Sequence, residues 1–176
     1  MNPKIKVVLP NSVGFKCKNC GVCCKIQPPE VDLNEQKQIE SKGYQKFLTE
    51  PDEAGLRWIK RKKDGSCFFL ENNKCKIHNV RPVICRLEPF TIVDYNYPEK
   101  TIELALNFPF SCACGGISED GVINVEEVTQ AAQAMMQKIL DLTARDLELP
   151  ESDKKVSAEA RARILRQQIE SADLTF

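Results

Sequence analysis

The 176-residue sequence predicts an α+β fold, with short hairpins and cysteine loops in its first part and helices in its last. Three observations carry this expectation. Nine cysteines fall between residues 17 and 114. Short β-forming runs among them are broken by Asp-Gly, Asn-Asn and proline turns. From Asn124 onward, apolar residues recur at helical spacing. The length suits one domain with an appendage, and 42% hydrophobic content is enough for a modest core. Residues 1–120 are expected to form the cysteine-bearing domain, and residues 121–176 a helical extension packed on it.

The elements follow in order. PPEVDLNEQKQIESKG, residues 28–43, puts Asp32 at an N-cap, Glu35 at the reciprocal position three residues on, and Gly43 at the stop of a short helix. RWIKRKK and SCFFL, joined around Asp64-Gly65, are expected to pair as a hairpin. Asn72-Asn73 makes the next turn, flanked by Cys67 and Cys75. PFTIVDYNY and KTIELALNF bracket a turn near Pro98 and form a second strand pair. A helix then starts at Asn124, with Glu127 at the capping-box position and Val125, Val128, Ala132, Met135, Ile139 and Leu142 along one side. A last helix is expected over roughly 157–171, carrying Ala160, Ile164, Leu165 and Ile169. The Met135-Met136 pair is read as core packing rather than copper ligation.

Charge excludes some partners. Lys and Arg together number 25, as do Asp and Glu, so no global field recruits nucleic acid or an anionic membrane. No run approaches the roughly 18 apolar residues of a membrane span, and MNPKIKVVLPNS lacks the apolar core of a secretory leader. A cytoplasmic location is expected.

In a reducing compartment thiols stay reduced unless a metal or a catalytic cycle holds them, and an odd count suits a disulfide framework poorly. Cys17, Cys20 and Cys23 recur at intervals of three, so a compact loop can turn three sulfurs toward one point. Cys24 is adjacent to Cys23, and neighbouring side chains generally point apart, so these two are expected to serve different metal ions. Cys67, Cys75, Cys85, Cys112 and Cys114 follow in two later segments. Two metal centres, or one polynuclear centre, are the expectation.

The common spacings do not apply. A bacterial ferredoxin run would be C-x2-C-x2-C-x3-C-P, whereas here Cys24 follows Cys23 directly and Lys25 comes next. A zinc ribbon pairs two CxxC knuckles, whereas the later cysteines are separated by seven, nine and one residues. With His78 the single histidine, sites needing several imidazoles are excluded and thiolate must dominate.

FKCKNCGVCC and GSCFFLENNKCKIHNVRPVICRLEP strongly resemble the YkgJ-type cysteine-cluster family, a zinc- or iron-chelating group with the CxxCxxCC signature. The matching residues are Phe15, Cys17, Cys20, Gly21, Cys23 and Cys24, then Cys67, Phe69, Leu70, Cys75, Ile77, Arg81, Pro82, Cys85, Arg86 and Pro89. CGGI at 114–117 is similar to a later C-P-G-I element, with Gly115 in place of the proline. The likeness covers roughly residues 13–118. It implies eight cysteine ligands: Cys17, Cys20, Cys23, Cys24, Cys67, Cys75, Cys85 and Cys114. Cys112 is extra, either a small buried residue or a competitor of Cys114. Flagellin lysine methylases look related in their cysteine cluster, but this chain has neither a GxGxxG loop nor a CxxxCxxC run, so methyl transfer rests on analogy.

Positive charge collects around these thiols, with Arg81 and Arg86 straddling Cys85 and Lys16, Lys18 and Lys25 in the first loop. Stabilising an anionic centre is its expected role, and gripping an anionic substrate the alternative. His78 is expected at the surface rather than as a ligand, and Glu88 as a solvated edge residue rather than a base. Irregular spacing and the vicinal pair favour iron-sulfur clusters, of the 4Fe-4S type, in redox or cluster-dependent chemistry. The alternatives are a zinc-built structural or interaction module and a metal-delivery or maturation factor. A protein partner or a small-molecule substrate is expected, neither one identified.

Overall fold

The computed structural model describes residues 6–26, 29–52, 55–96, 99–108 and 113–147, with side chains to residue 141. The expected helix over 157–171 and Cys112 lie outside the described residues. The strands are β1 (Lys6–Val8), β2 (Gly14–Phe15), β3 (Glu30–Val31), β4 (Arg57–Trp58), β5 (Leu70–Glu71), β6 (Lys74–Cys75), β7 (Phe90–Asn96), β8 (Thr101–Leu106) and β9 (Ile117–Ser118). The helices are α1 (Cys23–Ile26), α2 (Leu33–Glu40), α3 (Val83–Leu87) and α4 (Val125–Leu147), with a 3₁₀ turn at His78–Val80. The class is α+β, as expected.

Local signals act as their chemistry dictates. Asp32 Oδ1 accepts from the Asn34 and Glu35 amides at 2.8 and 2.9 Å, and Glu35 returns Oε2 to the Asp32 amide at 2.9 Å, closing the capping box of α2. Asn72 and Asn73 both take positive φ, 49° and 59°, which lets a two-residue turn join β5 to β6. β7 and β8 pair antiparallel with a bulge between Ile92 and Asp94. At the start of α4, Asn124 Oδ1 accepts from the Glu127 amide at 3.2 Å, while the Glu127 carboxylate accepts from the Asn124 side chain at 3.3 Å.

The hairpin around Asp64-Gly65 is shorter than its sequence predicts. A single bridge joins Arg61 to Cys67, and Arg57–Trp58 pairs with β3 instead. The Arg61 side chain donates to the Lys25, Ile26 and Gly65 carbonyls and ties this segment to α1. Two pairings come from distant chain segments: β1 runs parallel to β8, and β2 antiparallel to β9.

Two apolar clusters result. The first gathers Val31, Ile39, Phe47, Ile59, Phe69, Leu70 and Ile77 around the buried Cys67. In the second, Val128, Ala131, Ala132 and Met136 of α4 pack on Leu87, Phe90, Ile102 and Leu104. Glu35 and Lys138 join the two. Glu35 Oε1 accepts the Val83 amide at the start of α3 at 2.7 Å, and Oε2 accepts from Lys138 of α4 at 3.0 Å. The Lys138 side chain is only 8% exposed and also lies 3.6 Å from Glu30 and 4.0 Å from Asp32. A buried ammonium needs such company, because an unpaired one carries a desolvation cost of several kcal/mol.

Candidate metal centre

All eight predicted ligand cysteines line one cavity of about 70 Å³, together with His78, Arg81 and Glu88. Both apolar clusters contribute to its wall, Phe69 and Ile77 from the first and Phe15 from the second. At roughly 10–15 Å³ of such volume per water, the cavity holds more than a single ion requires.

An inner group is built on regular elements. Cys23 and Cys24 sit on α1, Cys75 on β6 and Cys85 on α3. The Cys67 amide donates to the Cys24 carbonyl at 2.8 Å, fixing Cys67 against α1. Gly21 takes a φ of +74°, and a Cβ there would meet Leu70 Cδ1 at 3.0 Å, so this turn into α1 requires glycine. The Cys24 thiol interacts with those of Cys23, Cys67 and Cys75. The Cys23 and Cys24 thiols thus meet each other although they are adjacent in the chain. On a helix, successive side chains diverge by about 100° rather than the near-opposition of a strand, and Cys67 and Cys75 close around Cys24.

Ionisation follows from these contacts. Hydrogen bonding from Cys24, with the Arg81 charge assisting, lowers the Cys23 thiol to about 6 against an opposing desolvation. The same Cys24 hydrogen bond lowers Cys67 to about 7 and also lowers Cys75. Hydrogen bonds to Cys23, Cys67 and Cys75 raise Cys24 in turn. Cys85 is raised by burial and then by the charges of Cys23, Cys67 and Cys75. One S–H proton cannot satisfy three sulfurs at once. A thiophilic cation would satisfy all of them, so the donor set fits one, although no three ligating side chains among the described residues already converge as a closed coordination site.

An outer group sits on loops. Cys17 and Cys20 follow β2, and Cys114 precedes β9. The β2–β9 pairing brings them together, and the Lys16 amide donates to the Gly116 carbonyl at 2.9 Å. A Cβ on Gly116 would stand 2.5 Å from the Lys16 carbonyl oxygen, so this approach depends on glycine. Cys114 is raised by burial and by contact with Cys20, with Cys17 nearby.

Two polar residues occupy places the sequence does not suggest. His78 is no bystander at the surface: its Nε2 is 3.9 Å from Cys17 Sγ and in contact with Arg81 Nη1. Burial and then the Arg81 charge lower its pKa. Glu88 is not a solvated edge residue. Asn107 Nδ2 donates to its Oε1 at 3.0 Å, while Oε2 is buried without a hydrogen-bond partner. Burial pushes its carboxyl up to about 8, an effect the Asn107 bond opposes and the Cys23 charge reinforces. Arg81 lines the cavity and reaches Glu127 at 3.2 Å, whereas the Arg86 Nε atom is buried and unpartnered. Cys17 lies 61 residues from His78 and Asn107 lies 19 from Glu88, so these contacts have no local signal in the sequence.

Fold and site together define a cysteine-rich metal-chelating protein. The family model described as "CxxCxxCC: Putative zinc- or iron-chelating domain" matches residues 16–113, more than half of the chain. The chain belongs to this family, which carries metal binding with it; Cys114 lies just past the matched segment. Uncharacterized protein MJ0661 of Methanocaldococcus jannaschii is 35% identical over 103 residues, 52% of this chain and 53% of that protein. Uncharacterized protein MJ0939 of the same organism is 23% identical over 135 residues, 74% of this chain and 46% of that protein. The chain thus spans about half the length of the curated relatives it matches. No solved structure matches. Among the described residues, no helix is long and apolar enough to cross a membrane.

Proposed function

We propose that the chain holds iron-sulfur chemistry on Cys17, Cys20, Cys23, Cys24, Cys67, Cys75, Cys85 and Cys114, in a redox or cluster-dependent role. The observation that carries this reading is the shared cavity, larger than one ion needs and lined by all eight. When bound, such a cluster supplies electron transfer or an open iron.

The chain's own residues supply the rest. Cys23, lowered to about 6, offers a thiolate at neutral pH. Arg81, whose side chain is 11% exposed, places a fixed positive charge beside the thiolates and tempers their repulsion. Phe69, Ile77 and Phe15 limit water. Glu88, raised to about 8, keeps a proton at the wall at neutral pH.

A zinc-built structural centre is the second reading, favoured by the imidazole beside Cys17, because three thiolates with one imidazole are a common structural zinc set. Protein purified without oxygen should contain iron and acid-labile sulfide in matching amounts and absorb broadly in the visible. Zinc without sulfide would reject the iron-sulfur reading in favour of the structural one.

A further inference from the structure

Building on the metal-binding reading, we propose that His78 is the fourth ligand of the outer centre, joining Cys17, Cys20 and Cys114 in a site of three thiolates and one imidazole. The eight cysteines do not divide evenly. Cys23 and Cys24 on α1, Cys67 bonded through its amide to the Cys24 carbonyl, Cys75 on β6 and Cys85 on α3 make up the inner five. Cys17, Cys20 and Cys114 lie outside this set, on loops that the β2–β9 pairing and the Lys16–Gly116 backbone bond draw together. Three thiolates close a tetrahedral site only with one more donor.

His78 stands where that donor is needed. Two ligands of one tetrahedral ion, with metal–sulfur near 2.3 Å and metal–nitrogen near 2.0–2.1 Å, lie about 3.6 Å apart. Cys17 Sγ and His78 Nε2 are 3.9 Å apart, so a movement of a few tenths of an ångström suffices. The nitrogen is also in the right state. Its other contact is Arg81 Nη1, and a guanidinium only donates, so Nε2 presents a lone pair. That lone pair already faces a cation. Arg81 has a second anchor in Glu127, 3.2 Å from Nη2, and stays tethered to α4 when a metal takes its place on the imidazole.

The backbone fixes this arrangement. The Val80 amide donates to the Ile77 carbonyl at 2.8 Å, setting the 3₁₀ turn that starts at His78, three residues after Cys75 of the inner group. One short segment therefore serves both centres.

The test uses the full chain purified without oxygen. Metal per chain is measured for the native protein and for His78→Ala, His78→Cys, Cys17→Ser and Cys112→Ser, alongside X-ray absorption at the edge of the metal found and far-ultraviolet circular dichroism as a check on folding. His78→Ala should lose as much metal as Cys17→Ser, and His78→Cys should restore it without the imidazole scattering of the native spectrum. Full metal retention in His78→Ala, or a loss produced by Cys112→Ser instead, overturns the assignment while leaving metal binding intact. A native protein that takes up no metal overturns the underlying reading as well.

Discussion

Four of the five inner thiols ride on helices and a strand, with Cys67 held by a single bridge, whereas the outer thiols hang from loops joined by two residue pairs of β2 and β9. Cys67 belongs to the first apolar cluster, and Cys24 and Cys75 pack against it. Cys17 and Cys23 are both exposed, but no outer cysteine belongs to either apolar cluster. Hydrophobic packing therefore positions Cys67, Cys24 and Cys75 without a metal, while the outer cysteines have no such packing and depend more on the ion to close. The difference teaches where folding energy and binding energy are divided: the inner site is prepared by packing, and the outer site is completed by its ligand.

The largest effect that would break this contrast comes from Cys24→Ser. Because Cys24 meets three other thiols, the change should empty the inner centre and lower the unfolding midpoint well beyond what Cys17→Ser does, as metal analysis and thermal unfolding would reveal. Equal effects would mean that the two groups are not distinct.

A smaller effect, on the order of a few kcal/mol, concerns Glu88 and pH. Its folded pKa of about 8 lies above the unfolded value of 4.5, so its contribution to stability is complete below pH 4.5 and is lost as pH rises through about 8. Glu88→Gln should remove that slope from urea unfolding of the metal-free protein between pH 5 and 8, since a glutamine carbonyl still accepts from Asn107. An unchanged slope would show that the carboxyl is not held in the wall of the cavity.

The smallest effect sharpens the outer side. Gly116→Ala forces a Cβ to within 2.5 Å of the Lys16 carbonyl oxygen, at a cost of about 1–3 kcal/mol by analogy with other overpacked sites. It should weaken outer-centre metal binding and leave the inner centre unchanged, which a metal-competition titration would report.

The features legible in the sequence are those with a local cause. The Asp32–Glu35 capping box, the Asn72-Asn73 turn, the β7–β8 pair and the start of α4 each act within a few residues. The family resemblance singled out eight cysteines, and those eight line one cavity. The grouping was not legible. Whether Cys24 faces Cys67 depends on a backbone bond from Cys67 to the Cys24 carbonyl, across a separation no pattern rule spans. His78 and Glu88 were misplaced for the same reason, since the polar look of a short segment says nothing of what folds over it. The parallel β1–β8 pairing likewise joins segments far apart in the chain, with Lys6 opposite Thr101, and neither strand carries a signal for its partner.

The most direct test of the two-group account is stepwise metal removal by a chelator, with thiol alkylation at each step read by peptide mass spectrometry. Cys17, Cys20 and Cys114 should become reactive together and first, followed by Cys23, Cys24, Cys67, Cys75 and Cys85. A single step exposing all eight at once, or an order that mixes the two sets, would contradict it.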